Sequence, residues 1–233
     1  MSFLGNLYIY DKLSILSRLV DDEGQPLLNS REIHYKNFYL EHKINYLGEA
    51  RKTIIDAFIP GEFQIAIECK FTEFEVGSCS RPRLSKTASN YERDYCSGAY
   101  TQQQQRKERC SLTENGVKYW DYVPLFFNWD KNKDYDTCPL RFTYQLIRNL
   151  LAAGIKENRS GSPENGQVLM IYDDRNPACH PGGKVYRSYY ETKEALKFPF
   201  MLKKVSWQSI VHHMRQEKVL TWLTEKLNQK YGF

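Results

Sequence analysis

The stretch from Thr53 to Phe71, TIIDAFIPGEFQIAIECKF, constrains this chain more than any other. Thr53 to Ile59 and Glu62 to Phe71 are dense in β-branched and aromatic residues, and Pro60-Gly61 lies between them. That pattern predicts a β-hairpin. In the second arm Ile65, Ile67, Cys69 and Phe71 alternate with Gln64, Ala66, Glu68 and Lys70, so the first set faces a core and the second faces elsewhere. With the turn centred on Gly61, Asp56 lies across from Ala66 and diagonal to Glu68, roughly 7–8 Å away at the backbone. Lys70 projects from the same face. A one-residue bulge would invert the parity and remove Asp56 from the group.

Two carboxylates and an amine on one sheet face do little for stability. Paired carboxylates repel, and desolvating them is costly unless a cation neutralises them. Mg²⁺ prefers oxygen ligands and keeps several waters, which leaves positions for a phosphate oxygen and an attacking water. Asp56 and Glu68 are the predicted metal ligands, with the backbone carbonyl of Cys69 as a third. Lys70 is placed to orient or deprotonate the water, or to stabilise the transition state. The plain alternative is a half-exposed hairpin with an incidental Glu–Lys pair.

At this point the sequence resembles the PD-(D/E)xK nucleases, the restriction-endonuclease-like superfamily, whose motif is an Asp on one strand of a hairpin and Glu-x-Lys on the next. Here these are Asp56 in TIIDAFIP and Glu68-Cys69-Lys70 in IAIECKF, with Ile55 where a Pro commonly stands. The wider ECKFTE, YQLIRN and a C-terminal Trp-Gln pair look like bacterial proteins classed as restriction endonucleases. The resemblance is tight over about 49–73 and loose over 140–175. It implies an α/β fold, a central mixed sheet with an antiparallel catalytic hairpin flanked by helices. It also implies Mg²⁺-dependent hydrolysis of double-stranded DNA, with Mn²⁺ as a substitute. A repair nuclease or toxin DNase would share this core, and a nucleic-acid-binding module without turnover could use the same fold. Two-fold symmetric cutting would suit a homodimer.

Several residues stand as supporting candidates. Glu73 could meet a second metal or order Lys70, and Glu49, ahead of Glu41, could supply an outer-sphere carboxylate. On the helix after Pro139, Arg141, Gln145 and Arg148 share a face at i, i+4 and i+7, and Gln145 and Arg148 could hold the scissile phosphate or a metal-bound water. The equal alternative is a solvated helix face. Arg81, Arg83 and Lys86 in a Ser-rich stretch, and Arg106, Lys107 and Arg109 after four glutamines, are phosphate-contact candidates or solvated surface charge.

The rest of the chain supplies elements around the hairpin. Leu13, Leu16, Leu19 and Val20 recur at helical spacing, and a second helix is predicted from about Glu32 to Leu47, stopped by Gly48. Tyr91 to Arg109 reads as partly helical, and Trp120 to Trp129 as buried. An amphipathic helix runs from Leu140 to about Ala153, and Val168 to Tyr172 is a buried strand. Residues 173–195 read as irregular. Phe200 to Val205 suggests a strand, and two helices close the chain, with Val219, Trp222, Leu223 and Leu227 on the buried stripe of the last. This predicts one domain over 1–233, with a helical region to 48, a core over 49–175 carrying an insertion at about 75–135, and a strand and helices over 176–233.

Composition bounds the functional classes. A chain of 233 residues with 41% hydrophobic residues can build a proper core. Its net charge of +5 permits a polyanionic partner without demanding one. No run of eighteen apolar residues predicts a membrane span, and the first residues do not read as a secretion signal, so the expected compartment is the cytoplasm. The six cysteines show no CxxC pair. They read as free thiols, with a zinc site from scattered members such as Cys79 and Cys96 as a remote alternative. His212-His213 reads as helix surface.

Overall fold

A computed structural model describes residues 3–29, 35–103, 106–158 and 160–233. Helix α1 (Phe3–Ile9) and a 3₁₀ turn (Leu13–Arg18) precede strands β1 (Tyr39–Ile44), β2 (Thr53–Ile59) and β3 (Gln64–Lys70). Short helices α2 (Tyr91–Asp94) and α3 (Ser111–Glu114) lead to α4 (Tyr119–Phe126) and α5 (Tyr144–Gly154). Then come β4 (Gly166–Tyr172), α6 (Lys184–Ala195), β5 (Leu202–Ser206), α7 (Trp207–Gln216) and α8 (Thr221–Tyr231).

The strands form one mixed sheet in the order β1-β2-β3-β4-β5. β1, β2 and β3 pair antiparallel, while β4 and β5 continue in parallel through the α5 and α6 crossovers. Parallel strands need such crossovers, and helices then cover both faces. Ala66, Val168 and Met170 pack with α4, α5 and α6 on one face. Ile65, Ile67, Leu169 and Ile171 pack with α1, the 3₁₀ turn, α7 and α8 on the other. The result is a three-layer α/β fold with the predicted mixed sheet. Among the described residues no helix is long and apolar enough to cross a membrane.

Three sequence expectations are corrected. The helix predicted from Glu32 to Leu47 is instead strand β1 over its later part, while Glu32, Ile33 and His34 lie outside the described residues. Phe38, Ile44 and Leu47 are buried as helical spacing also demands, but β1 is an edge strand with Tyr39 and Leu40 exposed, and pairing with β2 overrides the local pattern. Residues 184–195, read as irregular, form α6. Its buried stripe is Val185, Ser188, Tyr189 and Thr192, a helical spacing hidden by tyrosines and charges. Trp222 is 37% exposed and stacks edge-on with Tyr10, so Leu223 rather than Trp222 anchors α8.

The hairpin register also differs. Ile59 pairs with Ile65 and Phe58 with Ala66, so the turn centres on Glu62, and Phe58 rather than Asp56 faces Ala66. The shift is two residues and parity along β3 survives, but Asp56 leaves the face predicted for it beside Glu68 and Lys70 and turns to the side of the Cys69 side chain. Alternation slips once elsewhere. The rings of Tyr39, His42 and Phe58 stack in a row, with centroids 5.2 and 4.7 Å apart. Two β1 residues three apart therefore share a face. The intervening Glu41 has φ +50°, a left-handed backbone rare for a side-chain-bearing residue, and the pairing skips Glu41 and Asp56.

Candidate active site

The slip governs where the acids go. Pairing between β2 and β3 runs no further than Ala57 and Ile67, although β3 continues to Lys70. The strands fork at Asp56. Its Oδ2 fills the fork and accepts the backbone N–H of Cys69 at 2.8 Å. A strand residue turns its N–H and C=O to the same edge, so the Cys69 carbonyl faces the fork as well. Asp56 also borders a cavity of about 680 Å³ toward α8, beside Phe71, Trp207 and Lys226.

Glu68 and Lys70 project toward α5 and are buried, 2% and 4% exposed. Lys70 Nζ lies 2.8 Å from Glu68 Oε1. Gln145 bridges the pair: its Oε1 accepts from Lys70 Nζ at 3.0 Å, and its Nε2 donates to Glu68 Oε1 at 2.6 Å. Asn149, one turn further along α5, donates to Glu68 Oε2 at 2.8 Å. Gly77, at φ +93°, takes the Gln145 backbone N–H on its carbonyl, and a Cβ there would strike the Gln145 amide. Glycine is required where chain and bridge pass so closely.

The electrostatics follow from this enclosure. Burial pushes the Glu68 carboxyl above its ordinary range, Lys70 pulls it back, and the Asp56 charge adds to the rise. The two carboxylates thus feel each other, although among the described residues no hydrogen bond or ion pair joins Asp56 to Glu68 or Lys70. Burial also pushes up the Cys69 thiol, which faces the α7–α8 layer. The Cys69 side chain lies with that layer, and its backbone N–H meets Asp56.

The supporting candidates separate. Gln145 joins the Glu68–Lys70 pair, and Asn149, which sequence reasoning missed, joins it from i+4 on the same helix face. Glu73 accepts the N–H groups of Phe71 and Thr72 at 2.7 and 3.0 Å, closing the turn after β3. Glu49 accepts the hydroxyls of Tyr119 and Thr53, and Tyr119 in turn lies 3.2 Å from the Tyr144 hydroxyl, which burial pushes up to about 12. Glu49 opens to a cleft of about 750 Å³ whose walls carry Arg51, Lys52, Arg81, Arg93 and Arg148.

Of the predicted basic contacts, Arg81 lines this cleft and pairs with Asp94 at 2.7 Å. Arg148 lines it with a buried Nε that has no hydrogen-bond partner among the described residues. Arg83 reaches Glu75 at 3.7 Å, and Lys86 and Lys107 are exposed away from the cleft. Arg106 serves the fold: it pairs with Glu114 at 2.8 Å and donates to the carbonyls of Glu92, Arg93 and Tyr95.

Among the described residues no three His, Cys, Asp or Glu side chains are gathered as a ready metal centre. The available donors are two carboxylates and a carbonyl, all hard oxygens.

Comparison with curated proteins and with solved structures gives no match. A family profile described as "Restriction Endonuclease associating with ARP" matches residues 7–232, which takes in every strand and the forked hairpin. The chain belongs to this restriction-endonuclease family.

Proposed function

We propose that the chain hydrolyses phosphodiester bonds of double-stranded DNA, with Asp56, Glu68 and the Cys69 carbonyl holding Mg²⁺. The observation that carries this reading is the strand fork, where Asp56 accepts the Cys69 N–H next to Glu68 and supplies hard oxygen donors that suit Mg²⁺. Bound there, the ion would lower the pKa of water and withdraw charge from phosphorus. Gln145 and Asn149 hold the Glu68 carboxylate in one orientation. Lys70 presents a fixed positive charge beside it, able to offset charge developing on the phosphoryl oxygens. Glu68 has to give up part of its contact with Lys70 and Gln145 to take a ligand. Mg²⁺-dependent nicking or linearisation of plasmid DNA, abolished by chelation and by Asp56→Asn, tests the proposal.

The burial of Glu68 and Lys70, and the turn of Asp56 toward the α8 cavity, favour a second reading: a nucleic-acid-binding module without turnover. DNA binding by both wild type and Asp56→Asn, with cleavage by neither at any Mg²⁺ or Mn²⁺ concentration, would establish it.

Two further results are expected. The raised Glu68 carboxyl means that the folded chain retains a proton which the unfolded chain releases near pH 4.3. This group therefore favours the fold at low pH and costs stability as pH rises through its folded-state titration. Mg²⁺ competes with that proton, so thermal stabilisation by Mg²⁺ should grow with pH across the same window. Differential scanning fluorimetry should show no such growth in Glu68→Gln. In the basic cleft, Arg148→Ala should weaken DNA binding about equally for all sequences and reduce the slope of log Kd against log salt by about 1. Fluorescence anisotropy over a salt series reads both effects.

A further inference from the structure

Four of the six cysteines, absent from the proposed nuclease centre, meet around one small cavity. Cys79, Cys96, Cys110 and Cys138 come from four separate segments and all line a space of about 20 Å³. The segments are stitched at the backbone: Cys79 N–H donates to Arg141 at 2.8 Å, and Cys138 N–H to Gly98 at 2.8 Å. None of the four is in a disulfide. We propose that Cys79, Cys96, Cys110 and Cys138 form a structural zinc site that staples the segment between β3 and α5.

Three observations point to a thiolate-bound cation. First, the sulfurs are met by backbone donors: Arg81 N–H at Cys79, Leu112 and Thr113 N–H at Cys110, and Leu140 N–H at Cys138. Donors two or three residues ahead of a cysteine stabilise a thiolate and fix its direction, as partners behind a metal ligand do. Second, four thiolates around Zn²⁺ carry a net charge of −2, and Arg81, Arg109 and Arg141 border the same cavity. Third, a space of about 20 Å³ admits one small ion and is too small for a multi-iron cluster. Soft sulfur donors in a fourfold set select Zn²⁺ among the divalent ions that need no redox chemistry.

The thiols border the cavity without being drawn to one centre. Zinc uptake has to bring the four sulfurs to about 2.3 Å from the ion, forming four Zn–S bonds as four thiol protons leave to solvent. The consequence reaches the basic cleft. Arg81 lies two residues from Cys79 and lines both spaces, so zinc would fix a cleft residue in place.

The test uses the full chain expressed with added zinc and purified without chelator. About one Zn²⁺ per chain by elemental analysis is expected, with cobalt substitution giving the intense sulfur-to-metal bands of a tetrahedral thiolate site. Chelation should lower the melting temperature, and Cys138→Ser and Cys110→Ser should lose the metal, while Cys179→Ala, outside the cavity, keeps it. Protein without bound metal, disulfides among these four residues by non-reducing mass spectrometry, or iron with labile sulfide would each overturn the proposal. The wild-type measurements need no folded variant.

Discussion

Lys70→Ala should reduce Mg²⁺-dependent DNA cleavage by about a thousandfold, equivalent to about 4 kcal/mol of transition-state stabilisation. Lys70 Nζ is the cation bonded to both Glu68 and Gln145, and among the described residues no other ion pair reaches Glu68. Its loss also leaves Glu68 buried beside Gln145 and Asn149 with no counter-charge, a change that destabilises a fold when one partner of a buried pair is deleted. Two variants separate these effects. Lys70→Met keeps the stem and removes the charge, so activity should fall as far with less loss of melting temperature. Lys70→Arg keeps the charge but brings a planar, bulkier head to a closed site, and should recover only a small part of the activity. Retained DNA binding in all three, read by anisotropy, would assign the deficit to chemistry. Cleavage at wild-type rate in Lys70→Met would remove Lys70 from the mechanism.

Gly166→Ala should cost about 3 kcal/mol, lowering the melting temperature by roughly 6–12 °C for a chain of this size. Gly166 opens β4 directly beneath the end of α5, where a Cβ would run into the carbonyl of Ala153 and the nitrogen of Gly154. Both neighbours are backbone and cannot swing aside. A second glycine acts from the helix side: Gly154 leaves the space occupied by the fully buried Phe126 ring. Together they let α5 lie close on β4 and β3, which brings Gln145 and Asn149 within reach of Glu68. The same substitution should therefore lower cleavage even in the fraction that stays folded. Thermal denaturation and specific activity below the transition measure the two effects separately. An unchanged melting temperature would mean that α5 is free to lift from the sheet.

The hairpin was legible in the sequence because its signal is local: β-branched arms, Pro60-Gly61 between them, and strict alternation from Gln64 to Phe71. That alternation correctly placed Glu68 and Lys70 together and sent the Cys69 side chain the other way. The turn centre was not legible, since Pro60-Gly61 suggests a tighter loop than the one centred on Glu62. Nor was the slip at Glu41 and Asp56, which depends on β1, an element whose apolar spacing fits a helix equally well. One left-handed residue in an edge strand redirects an acid in its neighbour. Gln145 was found through the face it shares with Arg148, but Asn149 carried no signal of its own until α5 was laid against β3. The cysteines were hardest to read: spacings of 17, 14 and 28 residues between Cys79, Cys96, Cys110 and Cys138 match no short ligand motif. Their convergence is a product of tertiary structure.

Two carboxylates at the β2–β3 fork are proposed to share one divalent ion, and a crystal soaked with Mn²⁺ tests this most directly. The expected anomalous peak lies in the fork, within ligand distance of Asp56, Glu68 and the Cys69 carbonyl, with the Glu68–Lys70 contact loosened. A fork without a peak, and Glu68 still locked to Lys70, Gln145 and Asn149 at saturating Mn²⁺, would contradict it.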